Sequence, residues 1–188
     1  MDEYVFRAVC EQQQKWQHDG IPLYPISVNI SRISLYFGDI VQKYKDIIDS
    51  YHLDARYLPL EITESATINN SEISSLIDQF HNAGFTLLLD DFGSGYSSLN
   101  ALRELSVDIL KIDIKFLPVS QNDKRADIIL RSVTQMADQL GLEIVVEGVE
   151  TEAQADLLKK MGCRIAQGFL YYRPMPIEEY ERVLKKQK

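Results

Sequence analysis

Leu87-Leu-Leu-Asp-Asp-Phe-Gly-Ser-Gly-Tyr-Ser-Ser-Leu99 reads as a buried strand that runs into two acids and a tight turn. Three successive leucines suit a strand covered on both faces, and Asp90 and Asp91 interrupt that run where a parallel strand leaves its sheet. Gly93 and Gly95 permit the turn. Adjacent carboxylates repel each other and do not tolerate burial alone, so a positive group belongs beside them, and a divalent metal ion is the economical candidate. The plainer alternative is a strand-to-loop boundary whose acids are simply solvated. The rest of the chain decides between the two.

Upstream of this stretch, Glu72 to about Ala83 has helical spacing and is closed by Gly84, while Leu58-Pro-Leu-Glu-Ile-Thr63 alternates as a strand. Pro25-Ile-Ser-Val-Asn-Ile30 is another strand, with Ile26, Val28 and Ile30 on one face, and Tyr36 to about Tyr51 reads as the helix between the two. A first helix runs from Glu3 to about Gln17. Downstream, a short helix covers about Ser97 to Leu105, and Val107 to Asp113 is a strand with Ile109, Lys111 and Asp113 on one face. Asp123 to Leu140 is the clearest helix, with Ile128, Ile129, Val133, Met136 and Leu140 in register as its apolar side. Leu142 to Glu147 and Arg164 to Gln167 are strands, Glu152 to Met161 is a helix, and a last helix begins after Pro176.

Strands and helices therefore alternate with short connections, which calls for parallel strands joined by right-handed crossovers. The strand ends favour a βα barrel over an open doubly wound sheet. Asn29, Glu61, Asp90 with Asp91, Lys111, Glu147 and Gln167 each stand at or near the C-terminal end of a strand. A barrel gathers such positions into one mouth, where its active site is built, whereas an open sheet spreads them along a line. About six of the eight strands of a barrel are legible.

The chain has 188 residues, 45% hydrophobic and 26% charged, enough for one domain with a sizeable core. Its net charge of −8 argues against a nucleic-acid polymer as partner, since a phosphate backbone rewards clustered Lys and Arg. Cys10 and Cys163 lie far apart, outside any metal-ligand spacing, which fits a reducing, cytoplasmic setting. The apolar runs are too short to span a bilayer.

Four carboxylates and one amide, all oxygen donors, suit hard cations such as Mg²⁺ or Mn²⁺. Two such ions about 3.5–4 Å apart would hold a hydroxide and clamp a phosphoryl oxygen, which is the chemistry of phosphate-ester hydrolysis. Lys111 could orient the attacking water or serve as counter-ion to the acids, and these roles are compatible. Glu64 and Glu150 lie in loops within reach of Ser94, Tyr96 or nearby backbone N–H groups. Arg173 and Tyr171 follow Gln167 and could meet a base or a phosphate. His18, His52 and His81 sit at helix ends and are given no catalytic work.

Glu61-Ile-Thr-Glu-Ser65, Asp90-Asp-Phe-Gly-Ser-Gly-Tyr-Ser-Ser-Leu99, Leu110-Lys-Ile-Asp113, Val146-Glu-Gly-Val-Glu-Thr151 and Gln167-Gly-Phe169 resemble, in order, the motifs of EAL domains, bacterial phosphodiesterases that open cyclic di-GMP to linear pGpG. The resemblance runs from Met1 to about Pro176. It implies a βα barrel of the TIM type, metal ligands at Asn29, Glu61, Asp90, Asp91 and Glu147 for two Mg²⁺ or Mn²⁺ ions, a water-orienting Lys111, and Gln167 near the metals. It further implies that Glu64 and Glu150 steady the loop from Phe92 to Tyr96, and that chains pair through that loop and the helix after Lys111. Ser94 stands where the family more often has Thr. The Glu-Ala-Leu tripeptide that names the family, and an Arg close behind it, have no counterpart in the sequence, so residues 1–188 are expected to be a single EAL-type domain lacking its N-terminal strands. Exposed edges left by missing strands would promote self-association or be covered by the chain's own terminal segments.

Three functional readings follow. The first is a cyclic di-GMP phosphodiesterase whose catalytic residues include Lys111 and Glu147, although a chain without the Glu-Ala-Leu strand is expected to hydrolyse slowly or not at all. The second is a catalytically inactive cyclic di-GMP receptor or protein-binding module, which would not need all of Glu61, Asp90, Asp91, Lys111 and Glu147. A phosphoacceptor receiver domain also joins an acidic pair to a lysine, but it is shorter and doubly wound. The family resemblance is compatible with an upstream regulatory or GGDEF-type domain and with a membrane tether elsewhere in a longer protein.

Overall fold

A computed structural model describes residues 1–36, 38–67, 72–93, 98–113, 115 and 124–186. Six strands run in the order β1-β2-β3-β4-β5-β6 in one sheet, as a βα barrel requires, and that order does not close on itself among the described residues. They are β1 (Val28–Asn29), β2 (Leu60–Thr63), β3 (Leu87–Phe92), β4 (Ile109–Asp113), β5 (Glu143–Glu147) and β6 (Ile165–Ala166). The helices between and around them are α1 (Asp2–His18), α2 (Arg32–Leu35), α3 (Ile40–Ser50), α4 (Glu64–Thr67), α5 (Ile73–Asn82), α6 (Ser98–Glu104), α7 (Lys124–Gln139), α8 (Glu152–Lys160) and α9 (Ile177–Lys186). The chain forms two compact units, one of Met1–Ile62, Asn69–Leu87 and Pro174–Lys188, the other of Thr63–Ile68 and Leu88–Arg173.

In the first unit β1 and β2 pair in parallel, with Asn29 opposite Glu61. The ladder is longer than the two residues of regular β1, because the amides of Ile26, Val28 and Ile30 donate to the carbonyls of Tyr57, Pro59 and Glu61. Alternation is as the sequence indicates, since Val28 and Ile30 are buried while Ser27 and Asn29 are exposed. Gln13, fully buried on α1, donates from Nε2 to the carbonyls of Tyr24 (2.8 Å) and Tyr57 (3.3 Å), tying the approaches to β1 and β2 to one helix. Phe6 stacks on Tyr44 with ring centroids 4.2 Å apart, and Phe80 meets Phe85 edge-on at 5.6 Å.

The last helix returns to the first in the same unit. Leu184 packs with Trp16 and Ile21, flanked by Leu23, Ile26 and Tyr180. Glu181 on α9 accepts hydrogen bonds from Trp16 Nε1 (3.0 Å) and Gln12 Nε2 (3.0 Å), and pairs with Lys15 Nζ at 3.3 Å.

The helix expected over about Tyr36–Tyr51 starts later than its apolar pattern indicates, at Ile40, and the short α2 (Arg32–Leu35) before it is a separate element that the pattern does not mark. Gly38, just upstream of α3, takes a φ of +65°, a left-handed conformation that a right-handed helix does not admit, and the Asp39 side chain accepts from Gln42 N to start α3.

In the second unit β3, β4, β5 and β6 pair in parallel. Leu130, Val146, Val149, Ala155, Leu158 and Cys163 form a buried cluster between this sheet and helices α7 and α8. The burial of α7 differs from its apolar periodicity. Leu130, Thr134 and Ala137 face inward, while Ile128, Ile129 and Leu140 are half or more exposed. Packing against β5 selects the narrow stripe whose small side chains allow close approach. The wider apolar side, with Val133 and Met136 at its border, is turned out.

Candidate active site

Consecutive residues of a regular strand point to opposite faces, so Asp90 and Asp91 could not ordinarily serve one site. A bulge resolves this. Leu89 pairs with Leu110 and Phe92 with Ile112, so three steps along β3 match two along β4, and the extra residue falls at Asp90-Asp91. Asp91 takes up the distortion with a φ of 57°, the left-handed region that Asp tolerates better than most residues. Its amide donates to Asp90 Oδ1 at 2.9 Å.

The consequence is a cluster. One carboxylate oxygen from each of Asp90, Asp91 and Glu147 lies within 4.8 Å of the others. Lys111, buried at the centre of β4, places Nζ 3.1 Å from Asp90 Oδ1 and 3.3 Å from Glu147 Oε2. Three carboxylates against one buried ammonium leave the group negative, and all its donors are oxygen. That donor set fits a hard divalent cation. Burial pushes the Glu147 carboxyl up from the ordinary glutamate value, the Lys111 charge opposes this, and the Asp90 and Asp91 charges add to it.

Glu64 opens α4 and is buried, and its Oε2 accepts from Gly93 N at 3.1 Å, at the start of the turn that follows the two acids. The turn residues Ser94 and Tyr96, expected to be its neighbours, lie outside the described residues. Glu150 is exposed; its amide donates to Gln154 Oε1, as does that of Thr151, which caps α8. Gln167, also exposed, accepts at its carbonyl from Val149 N and donates from its amide to Val146 O, so the loops after β5 and β6 are tied backbone to backbone. Arg173 lies over the Phe169 ring, its guanidinium carbon 4.4 Å from the centroid. Tyr171 and Tyr172 beside it are exposed.

In the first unit, Glu61 is buried and accepts a short hydrogen bond from Ser27 Oγ. Asn29 stands opposite it on β1.

Sequence reasoning gave no role to two residues next to the cluster. Asp113 pairs with Glu147 across β4 and β5, and it holds Lys115 by two contacts, from Lys115 N (2.8 Å) and Nζ (2.9 Å). The period of two along Val107–Asp113 already puts Asp113 on the face of Lys111 and could have flagged it.

An α/β chain with six parallel strands joined by helices is the architecture of a βα-barrel domain. The sequence pattern of the EAL domain matches residues 1–174, and the chain belongs to that family. It is 34% identical to the crystallised EAL domain of Mycobacterium smegmatis DcpA, with a TM-score of 0.92 over 99% of this chain and 84% of that one. A cyclic di-GMP complex of the PaMucR phosphodiesterase superposes with a TM-score of 0.85 at 35% identity, over 95% of this chain and 72% of that one. The bifunctional diguanylate cyclase/cyclic di-GMP phosphodiesterase MucR of Pseudomonas aeruginosa is 36% identical over 178 residues, 94% of this chain and 26% of its own length. The chain thus spans about a quarter of that relative.

Proposed function

We propose that the chain is the hydrolytic domain of a cyclic di-GMP phosphodiesterase, opening the cyclic dinucleotide to pGpG with two Mg²⁺ or Mn²⁺ ions. The observation that carries this reading is the convergence of Asp90, Asp91 and Glu147 around the buried Lys111. The reading extends the donor set to Asn29 and Glu61. Bound cations would activate water and offset the charge of the phosphodiester.

The chain's own groups have defined tasks. Asp90, Asp91 and Glu147 would hold the cations, the bulge at Asp90-Asp91 having turned two neighbouring carboxylates to one side. Lys111 keeps those carboxylates in place, and an N–H of its ammonium would orient the water whose oxygen bonds to phosphorus as the bond to one ribose 3′-oxygen breaks, a proton of that water ending on the leaving 3′-oxygen. Glu64 fixes the turn after Phe92 through the Gly93 amide, and Glu150 supports it. Gln167 and Arg173 face the dinucleotide. Ser94 belongs to the same loop.

The reading includes a homodimer, and the exposed Ile128 and Ile129 on α7, the helix after Lys111, with Leu140 just past its end, support that part. It also treats residues 1–188 as one EAL-type domain in the cytoplasm, with regulatory or GGDEF-type domains elsewhere in a longer protein. No helix among the described residues is long and apolar enough to cross a membrane.

The test is chromatographic detection of pGpG from cyclic di-GMP with Mg²⁺ or Mn²⁺, for this chain, for an upstream-extended protein and for Asp91→Asn in each. Metal-dependent product that is lost in Asp91→Asn supports the reading. Binding of cyclic di-GMP with no hydrolysis by the chain and none by the upstream-extended protein overturns it in favour of a receptor.

A further inference from the structure

Lys115 is exposed, yet it is not held as a free surface lysine. The Asp113 carboxylate takes both its backbone N–H, at 2.8 Å, and its ammonium, at 2.9 Å, so main chain and head group are fixed to one acid. Asp113 in turn stands opposite Glu147 in the β4–β5 register. The ammonium is therefore tethered at the rim of the carboxylate cluster. Its electrostatic environment agrees, because the Asp113 hydrogen bond and charge raise its pKa and the charges of Asp91 and Glu147 add to that rise.

We propose that Lys115 is a tethered counter-ion that weakens cation binding at the Asp90, Asp91 and Glu147 group and so sets the metal concentration at which that group fills. The inference rests on the metal reading above. Lys111 and Lys115 then differ in kind. Lys111 is buried between two of the ligands, whereas Lys115 sits outside them on a solvated stem and can be removed with little effect on packing. In water-like surroundings a single positive charge within about 10 Å of a divalent ion costs a few-fold in affinity, and salt diminishes the effect. Loss of Lys115 also uncovers the Asp113 charge beside Glu147, which acts in the same direction.

The test is calorimetric titration of Mn²⁺ into the chain and into Lys115→Met, Lys115→Arg and Asp90→Asn, at about 20 mM and about 300 mM ionic strength. Lys115→Met is expected to bind about three- to tenfold more tightly at low salt, with a gap of less than about twofold at high salt. Lys115→Arg should match the native chain. Equal or weaker binding by Lys115→Met, or a gap indifferent to salt, overturns the proposal while leaving the metal centre intact, provided binding still falls in Asp90→Asn. Absence of Asp90-dependent Mn²⁺ binding in both the native chain and Lys115→Met overturns the centre and the proposal together.

Discussion

A methyl group on Gly168 would stand 2.1 Å from the carbonyl oxygen of Val149 and 2.3 Å from its nitrogen, inside any tolerable contact. The same two loops exchange hydrogen bonds, from Val149 N to Gln167 O and from Leu170 N to Val149 O, both 3.0 Å. Neither backbone can retreat without losing these bonds. Gly168→Ala is therefore expected to cost about 3 kcal/mol or more, measured by urea unfolding. A loss below about 0.5 kcal/mol would show that the loops do not hold each other.

Lys111→Met leaves Asp90 and Glu147 facing each other without the ammonium that now lies within 3.3 Å of both. Breaking a largely buried pair by removing one partner costs about 2–4 kcal/mol. In chelator the variant should melt well below the native chain, and saturating Mn²⁺ should restore part of the loss by supplying the missing positive charge. Equal melting of the two chains in chelator would contradict the counter-ion role.

Asp91 combines a left-handed φ of 57° with an exposed carboxylate in the cluster. Asn accepts that conformation and Val does not. Asp91→Asn should keep native stability to within about 0.5 kcal/mol while lowering Mn²⁺ affinity, whereas Asp91→Val should lose about 1–2 kcal/mol as well. Paired unfolding and titration curves separate the two effects. Equal stability losses in both variants would mean that the backbone there is not constrained.

The legible part of this chain is what one-residue periodicity and strand ends can express. Asp90 and Glu147 do lie toward the ends of β3 and β5, where buried apolar runs stop visibly at a polar residue, whereas Glu61 is the second residue of β2 and Lys111 the middle of β4, because those strands run on past their first polar residue. The bulge that lets Asp91 join Asp90 was not legible, since it depends on register with β4 and leaves no mark in the local sequence. The inward face of α7 was misjudged for a similar reason. Helical periodicity locates an apolar stripe, but β5 chose Leu130, Thr134 and Ala137 over the bulkier Ile128, Ile129 and Leu140. Gly38 marks in the sequence where α3 cannot yet have begun, but the apolar pattern from Tyr36 suits an earlier start.

Glu181 gives a pH dependence whose sign is fixed. Its hydrogen bond from Trp16, followed by its bond to Lys15, holds its carboxyl below the ordinary 4.5, against the opposing effect of burial. A depressed folded value means stability that is present above pH 4.5 and lost as pH falls through the folded value. Glu181→Gln should lower Tm at neutral pH, and its gap from the native chain should narrow on acidification below that range. A gap that stays constant across the titration would exclude a role for the charge.

The contact between Trp16 and Glu181 spans 165 residues of sequence. During synthesis the first helix leaves the ribosome long before its partner exists, and Trp16 and Gln12 must wait in the open for α9. The segment Leu88–Arg173, contained in the second unit, is completed earlier. Once Arg173 has cleared the ribosome, the carboxylate cluster can be complete while the first unit is not, and the indole of Trp16 stays exposed to chaperones until α9 has emerged as well.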